Sequence, residues 1–131
     1  ARRWLNETYR PIVEMIPQNL TGRIEEAQFF GPELPAIIEQ IVAAPRTVIV
    51  SGLDQDFAGR PFATIPELMA RADEVTKLSA ICVVCGNEAT RTQRLRDGKP
   101  ARADDELIVI GGMAGDDTYE ARCRACHEVI A

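Results

Sequence analysis

The fold class is decided by residues 31–52, which read GPELPAIIEQIVAAPRTVIVSG. In the first part, apolar residues recur at the i, i+3, i+4, i+7 and i+8 spacing of one helix face, namely at Leu34, Ile37, Ile38, Ile41 and Val42. The β-branched run that follows and ends at Gly52 is typical of a buried parallel strand. With a further strand before Glu25, this order predicts a βαβ unit and an α/β fold.

Acidic residues follow both predicted strands. Glu25 and Glu26 stand after the first, in RIEEAQFF (residues 23–30), and Asp54 stands after the second. Ligands of open α/β sheets bind at the carboxyl ends of the strands. Two carboxylates there suit phosphate chemistry, because one can neutralise phosphate charge through Mg²⁺ while the other accepts a proton from an attacking hydroxyl. A solvated acidic pair is the alternative.

A second helix is predicted over residues 64–75, where Thr64 and Glu67 have the spacing of a capping box. Its predicted apolar face consists of Ile65, Leu68, Met69, Ala72 and Val75. The character of the chain changes after Leu78, where the cysteines begin. We therefore expect two parts, an α/β portion at 1–78 and a cysteine-bearing subdomain at 79–131.

Composition excludes several classes of protein. The chain has 131 residues, 46% hydrophobic and 27% charged, which is ordinary for one folded domain with a small subdomain. No apolar run approaches the ~18 residues of a membrane helix. A net charge of −5 disfavours binding to nucleic acid. The stretch 91–102 departs from this with five basic residues and one acid, as a solvated hairpin or as a contact to phosphate or a partner.

Four cysteines form two C-x-x-C pairs, CVVC at Cys82 and Cys85 and CRAC at Cys123 and Cys126, with 37 residues between the pairs. Each such turn points two sulfurs at one spot, and two turns complete a tetrahedral Zn²⁺ site with Zn–S near ~2.3 Å. Since protein fills all four positions, the predicted site is structural.

Three other readings of the cysteines remain. Disulfides are disfavoured because nothing indicates secretion, and a thioredoxin-like redox pair explains one C-x-x-C but not two. CRACH, ending at His127, matches c-type haem attachment but leaves Cys82 and Cys85 without a role. His127 is the only histidine, so we expect it to be a bystander of a complete four-cysteine site.

Longer stretches resemble one family. EEAQFF, VIVSGLDQDFAGRPF, IPELMARADEVTKLSAICVVCGNEATRTQRL, LIVIGG and TYEARCRACH, in this order over about residues 23–130, resemble the type II thymidine kinases. The resemblance implies a P-loop-kinase-like parallel sheet, here incomplete, and a small zinc-ribbon subdomain. It also implies that a long loop of this subdomain, the lasso, closes over thymidine.

The resemblance further implies a role for individual residues. Glu26 is the expected catalytic base for the nucleoside 5′-hydroxyl, and Glu25 stands where the family has its Mg²⁺-associated aspartate. The expected substrate-binding residues are Phe29, Leu53, Phe57, Phe62, Thr92, Val109, Ile110, Gly111, Gly112 and Tyr119. Aromatic and aliphatic side chains suit the walls around a flat base, and a Gly-Gly backbone can approach its edge.

The implied activity needs a phosphate donor. The resemblance implies transfer of the γ-phosphate of ATP to thymidine, with feedback inhibition by dTTP. It also implies a cytoplasmic homotetramer without a membrane segment. The sequence contains no G-x-x-x-x-G-K-[ST] loop, so we expect the P-loop to lie outside these residues. The alternatives are an inactive fragment that does not bind ATP, and a zinc-ribbon interaction module that uses residues 91–102.

Overall fold

A computed structural model describes residues 21–44, 46–107 and 117–131. These residues form two compact units. The first consists of residues 21–54 and 62–73, and the second consists of Gln55–Pro61 and residues 74–131, in each case as far as they are described. The short loop Gln55–Pro61, which lies between the two segments of the first unit in the sequence, therefore belongs to the second unit.

The first unit contains the predicted βαβ arrangement. Strand β1 (Thr21–Ile24) is followed by helix α1 (Leu34–Ala43) and strand β2 (Thr47–Val50). The two strands pair in parallel, and Ile24 lies opposite Val50 at their carboxyl ends. The prediction of strand, helix and parallel strand is confirmed.

The core of the first unit lies under α1. Leu34, which is fully buried, packs in a cluster with Ala27, Ile65 and Leu68. Val50 packs against this cluster, whereas Ile49 is 48% exposed. The expectation of a fully buried strand β2 is therefore wrong for the described residues, in which only β1 pairs with it.

Helix α2 (Ile65–Arg71) is shorter than predicted. The helix ends at Arg71 because the backbone of Ala72 is extended, with φ −67° and ψ 143°. Val75, which was predicted to lie on its apolar face, is therefore outside the helix. Thr64 occupies the N-cap position, but its hydroxyl makes no capping hydrogen bond. Glu67 instead accepts a hydrogen bond from Arg71 at 2.9 Å, so the predicted capping box is wrong.

The second unit is built from short antiparallel strands. Strands β3 (Ala80–Ile81) and β4 (Glu88–Ala89) form one pair. A separate sheet has the order β6-β5-β7, with β5 at Arg91–Arg96, β6 at Lys99–Pro100 and β7 at Asp117–Arg122.

The turn between β5 and β6 consists of Asp97 and Gly98, whose φ angles are 53° and 75°. Positive φ at both central residues is what a two-residue hairpin turn of type I′ requires, and Asp-Gly is among the sequences that adopt it. The basic stretch 91–102 thus contains a hairpin, one of the two forms expected for it.

The described residues form a mixed α/β structure with small sheets. No helix in this part of the chain is both long and apolar enough to span a membrane.

Candidate functional site

Glu25 and Glu26 directly follow the carboxyl end of β1. Backbone hydrogen bonds between the two chain segments continue here, past the ends of β1 and β2. The Ser51 N–H donates to the Ile24 carbonyl at 2.9 Å, and the Ala27 N–H donates to the Ser51 carbonyl at 3.0 Å. Both glutamates are exposed. This edge of a parallel sheet is the place where ligands of α/β proteins bind.

The backbone of Glu26 is left-handed, with φ 51° and ψ 45°. Such a conformation is unfavourable for a residue with a side chain other than Asn or Asp. A 3₁₀ turn (Ala27–Phe29) follows at once, and the Phe29 N–H donates to the Glu26 carbonyl at 3.1 Å. Of the two adjacent glutamates, only Glu26 has this strained backbone.

An open cavity of about 240 Å³ lies beside Glu25. Its walls are formed by Arg23, Ile24, Ile49 and Ser51 together with Glu25. An acidic and a basic side chain therefore both line the cavity, together with residues near the carboxyl ends of β1 and β2.

Gln28 is a buried polar residue that the sequence analysis missed. Its side-chain oxygen accepts a hydrogen bond from the Leu53 N–H at 3.1 Å. Gly52 makes room for this contact, because a Cβ there would lie 2.8 Å from the Gln28 Oε1 and from a methyl of Ile65. Gln28 therefore fixes the backbone at Leu53, one of the predicted substrate-binding residues.

Two predicted pocket residues meet in the first unit. The rings of Phe29 and Phe62 pack edge to face, with centroids 6.2 Å apart and an interplanar angle of 90°. Phe62 is buried, whereas Phe29 is 51% exposed and Leu53 is 46% exposed. Phe29 and Leu53 thus leave apolar surface available to a ligand.

The four cysteines come together in the second unit. Their sulfur atoms all lie within 4.8 Å of one another, and the Sγ atoms of Cys85 and Cys123 are 3.6 Å apart. A tetrahedral zinc–thiolate site with Zn–S near ~2.3 Å implies a sulfur–sulfur spacing of about 3.8 Å. The donor set and its spacing therefore fit a structural zinc ion, and the predicted convergence of the two pairs is confirmed.

Backbone turns position both cysteine pairs. The Gly86 N–H donates to the Cys82 carbonyl at 2.9 Å, and the His127 N–H donates to the Cys123 carbonyl at 3.0 Å. The Val83 N–H donates to the Ala121 carbonyl of β7 at 3.1 Å, which holds the first turn beside the strand that leads into the second. We call these turns (82–87 and 123–127) the two knuckles.

Hydrogen bonds shift the pKa values of two of the thiols in opposite directions. Hydrogen bonding by the backbone of Cys123 lowers the pKa of Cys82 to about 6, and Cys82 is buried. Hydrogen bonding with the Cys123 side chain raises the pKa of Cys126 to about 12. One thiolate thus forms readily while a neighbouring thiol keeps its proton, which a metal ion would displace.

The geometry also bears on the other readings of the cysteines. All four are free thiols, and the 3.6 Å between Cys85 and Cys123 sulfurs exceeds the roughly 2.05 Å of a disulfide. Haem attachment through CRACH would use two of the four converging sulfurs, whereas a zinc site uses all of them.

The loop Gln55–Pro61, called here the pocket loop, carries the predicted substrate residue Phe57. Phe57 is buried in the second unit, and the guanidinium of Arg94 lies 5.0 Å from its ring centroid. The His127 ring nitrogen Nε2 lies 2.7 Å from the Phe57 carbonyl oxygen. Both partners of Phe57 were missed as functional residues, because their contacts span 37 and 70 positions along the chain.

Arg94 is fully buried in the centre of the second unit. It donates to the Asp117 carboxylate, with 2.9 Å from Nε, and to the carbonyl of Glu106. Hydrogen bonds from Arg96, and then from Arg94, hold the pKa of Asp117 below its usual range. A buried charge of this kind is tolerated only with such partners.

These contacts change the interpretation of the basic stretch 91–102. Arg94 and Arg96 pair with Asp117, and Arg102 pairs with Asp104 at 3.1 Å. Three of its five basic side chains thus have acidic partners inside the unit, which reduces the positive charge left for a polyanion.

The remaining predicted substrate residues lie in or near this sheet. Thr92 is half-buried on β5, and Tyr119 on β7 is 50% exposed and lies opposite Arg94 in the ladder. The Arg94 guanidinium is 6.0 Å from the Tyr119 ring centroid. Val109, Ile110, Gly111 and Gly112 lie outside the described residues.

Acids at the carboxyl end of parallel strands and a four-cysteine cluster on an antiparallel unit define an α/β protein with a subdomain whose cysteines could hold a metal ion. Comparison with known proteins gives the particular family. The sequence model of the thymidine kinase family matches residues 13–127. A curated relative, the thymidine kinase of Coprothermobacter proteolyticus, is 58% identical over 106 residues, which cover 81% of this chain.

The chain belongs to the thymidine kinase family. It spans about half of the length of that relative, since the matched residues cover 52% of it. The resemblance on which the sequence analysis relied is thereby confirmed.

Proposed function

We propose that the protein is a thymidine kinase that transfers the γ-phosphate of ATP to the 5′-hydroxyl of thymidine in nucleotide salvage. One observation carries the proposal: in a member of this family, Glu25 and Glu26 lie at the carboxyl end of paired parallel strands, and Glu26 has a strained backbone. Strained residues of this kind are concentrated at active sites.

Glu26 acts as the general base in this proposal. It accepts the proton of the 5′-hydroxyl while the hydroxyl oxygen bonds to the γ-phosphorus. The bond from that phosphorus to the β–γ bridging oxygen breaks, and ADP leaves. Glu25 would hold Mg²⁺, which neutralises phosphate charge when it is bound.

Aromatic and aliphatic residues bind the thymine ring. We assign this role to Phe29, Leu53, Phe57 and Phe62, supported by the exposed apolar surface of Phe29 and Leu53. Thr92, Val109, Ile110, Gly111, Gly112 and Tyr119 are proposed to contact the base or sugar from the lasso subdomain. Zinc, held by the four cysteines, would stabilise that subdomain and take no part in the chemistry.

The proposal keeps the functional division into a kinase portion at 1–78 and a lasso subdomain at 79–131, although the second compact unit also includes residues 55–61 and 74–78. It also includes a P-loop-kinase-like sheet with an ATP site outside the described residues, assembly as a cytoplasmic homotetramer, and feedback by dTTP. These features follow from the family resemblance.

A single substitution tests the role of Glu26. We expect Glu26→Gln in the full-length protein to lower the turnover of radiolabelled thymidine about 10²–10⁴-fold, because the amide cannot accept the proton. Zinc content and thymidine binding should not change. Glu39→Gln, which alters an exposed acid that pairs with Arg71 at 3.6 Å, is the matched control and should keep full turnover. Wild-type turnover in the Glu26→Gln variant would reject this assignment.

A further inference from the structure

The pocket loop (Gln55–Pro61) closes on itself around one buried carboxylate. The Asp56 N–H donates to the Arg60 carbonyl at 2.9 Å. Asp56 Oδ1 accepts from the backbone N–H groups of Ala58 and Arg60 at 2.9 and 3.0 Å. Because these bonds lie within the loop, they fix its shape but not its position. Its position depends on contacts with the rest of the second unit.

Within the described part of this unit, the side chains that supply such contacts include Arg60, Arg94 and His127. Arg60 donates to the Ala103 carbonyl at 3.1 Å, and the Arg94 guanidinium covers the Phe57 ring. His127 contacts the backbone of Phe57 itself, with 2.7 Å between Nε2 and the carbonyl oxygen. Since a carbonyl only accepts, the proton of the imidazole must be on Nε2.

The position of His127 is set by the second knuckle. It follows the metal-ligand candidate Cys126 directly, and its N–H donates to the Cys123 carbonyl at 3.0 Å. The loop approaches closely at Gly59, whose φ is +78°: a Cβ there would lie 2.4 Å from Arg91 and 3.9 Å from the His127 ring. Gly59 thus permits the close approach of the loop to Arg91, while the His127 ring would lie at an ordinary contact distance.

We propose that His127 is a positioning residue for nucleoside binding. It holds Phe57 through a hydrogen bond from Nε2. The turn that carries Cys123 and Cys126 therefore also sets the geometry of the pocket loop where the loop contacts the thymine base. His127 does not touch the substrate and is not a metal ligand. This inference rests on the proposed function, because it assigns to Phe57 a contact with the thymine ring.

Two mutually isosteric substitutions, His127→Gln and His127→Glu, test the hydrogen bond. Glutamine can donate from a similar position, whereas glutamate presents only acceptors to the Phe57 carbonyl. In the full-length protein, we expect His127→Glu and His127→Leu to raise the KM for thymidine about tenfold, as the loss of one partly buried hydrogen bond predicts. The KM for ATP should stay within about twofold, and His127→Gln should stay within about threefold of wild type for both substrates.

A second measurement follows the loop directly. Amide hydrogen exchange of a peptide that covers residues 55–61 should be faster in His127→Glu and His127→Leu than in wild type and His127→Gln. Zinc content of each variant, measured with a chromogenic chelator, should be the same. If a variant fails to bind zinc, the comparison between the remaining variants and wild type still decides the role of the hydrogen bond.

Three outcomes would overturn the inference. One is a wild-type thymidine KM in His127→Glu, and another is a His127→Gln variant as impaired as His127→Leu. The third is an equal rise in the KM for ATP, which would indicate general loosening. Failure of the proposed function is distinguishable, because a wild-type protein without thymidine turnover would refute that function while the exchange measurement still reports on His127 and the loop.

Discussion

At the scale of single residues, Glu26 combines the predicted catalytic role with an unfavourable backbone. Its φ of 51° places it in the left-handed region, where a glycine would be more stable. Stability alone therefore favours another residue at this position. The predicted role of the Glu26 carboxylate, at the carboxyl end of β1, would explain why a strained glutamate occupies it.

Because Glu26 is strained and Glu25 is not, a glycine at these two adjacent positions should have opposite effects on the free energy of unfolding. Glu26→Gly should leave the free energy of unfolding unchanged or raise it by up to about 1 kcal/mol, because relief of left-handed strain exceeds the added freedom of the unfolded chain. Glu25→Gly relieves no strain, since its φ is not positive, and should lower that free energy by about 0.5 kcal/mol.

Urea denaturation of the two variants and wild type measures these changes. Thymidine turnover should be lost in Glu26→Gly in spite of its stability. A loss of stability at position 26 as large as that at position 25 would contradict the strain interpretation.

The role predicted for Glu26 came from the family resemblance, because its position after a strand beside another acid left a solvated pair as the alternative. The buried residues Gln28 and Arg94 were not predicted. They gave no signal of their own, because their burial depends on partners at Leu53 and Asp117, which are distant in sequence. An arginine in a basic stretch is usually solvated, and only the fold shows that Arg94 is fully buried.

At the scale of elements, helix α1 stabilises the first unit through one face. Leu34 is fully buried in the core cluster, whereas Val42 near the other end of the helix is 42% exposed. We therefore expect Leu34→Ala to lower the free energy of unfolding by about 2–5 kcal/mol, through lost burial and the cavity left behind.

Val42→Ala is the matched control on the same helix. It also shortens an aliphatic side chain, but at a half-exposed position, so its expected cost is below about 1 kcal/mol. Thermal or urea unfolding followed by circular dichroism compares the two. Similar losses in both variants would mean that α1 does not pack as described.

Elements were predictable where the pattern was periodic and local. The i, i+3, i+4 spacing located α1, and a β-branched run located β2. The end of α2 was not predictable, because the helical spacing continues to Val75 whereas the chain becomes extended at Ala72. Strand β1 has the sequence TGRI, in which Gly22 and Arg23 interrupt two residues of high strand preference, and it pairs in parallel with β2.

At the scale of the whole molecule, the cysteine spacing predicted that distant parts of the chain converge. Two C-x-x-C turns separated by 37 residues meet with all sulfurs within 4.8 Å. The same reasoning could not assign the pocket loop, because its Asp, Gly and Pro content indicates a loop without indicating a partner. Its contacts with Arg94, Ala103 and His127 decide that it belongs to the second unit.

Because the pocket loop belongs to the second unit, we can predict how it responds when a metal ion is removed from the four cysteines. A structural zinc ion contributes to the folding of the residues that hold it, so a chelator should loosen the knuckles and the elements packed on them. Amide exchange should become faster in residues 80–96 and 117–127, and also in the pocket loop. It should change little in α1 and β2, whose contacts lie in the first unit. Adding excess zinc should restore protection and serves as the control. If the knuckles loosen while exchange in the pocket loop stays constant, the metal does not support the loop, and its position is set by contacts outside the knuckles, such as that of Arg60 with the Ala103 carbonyl.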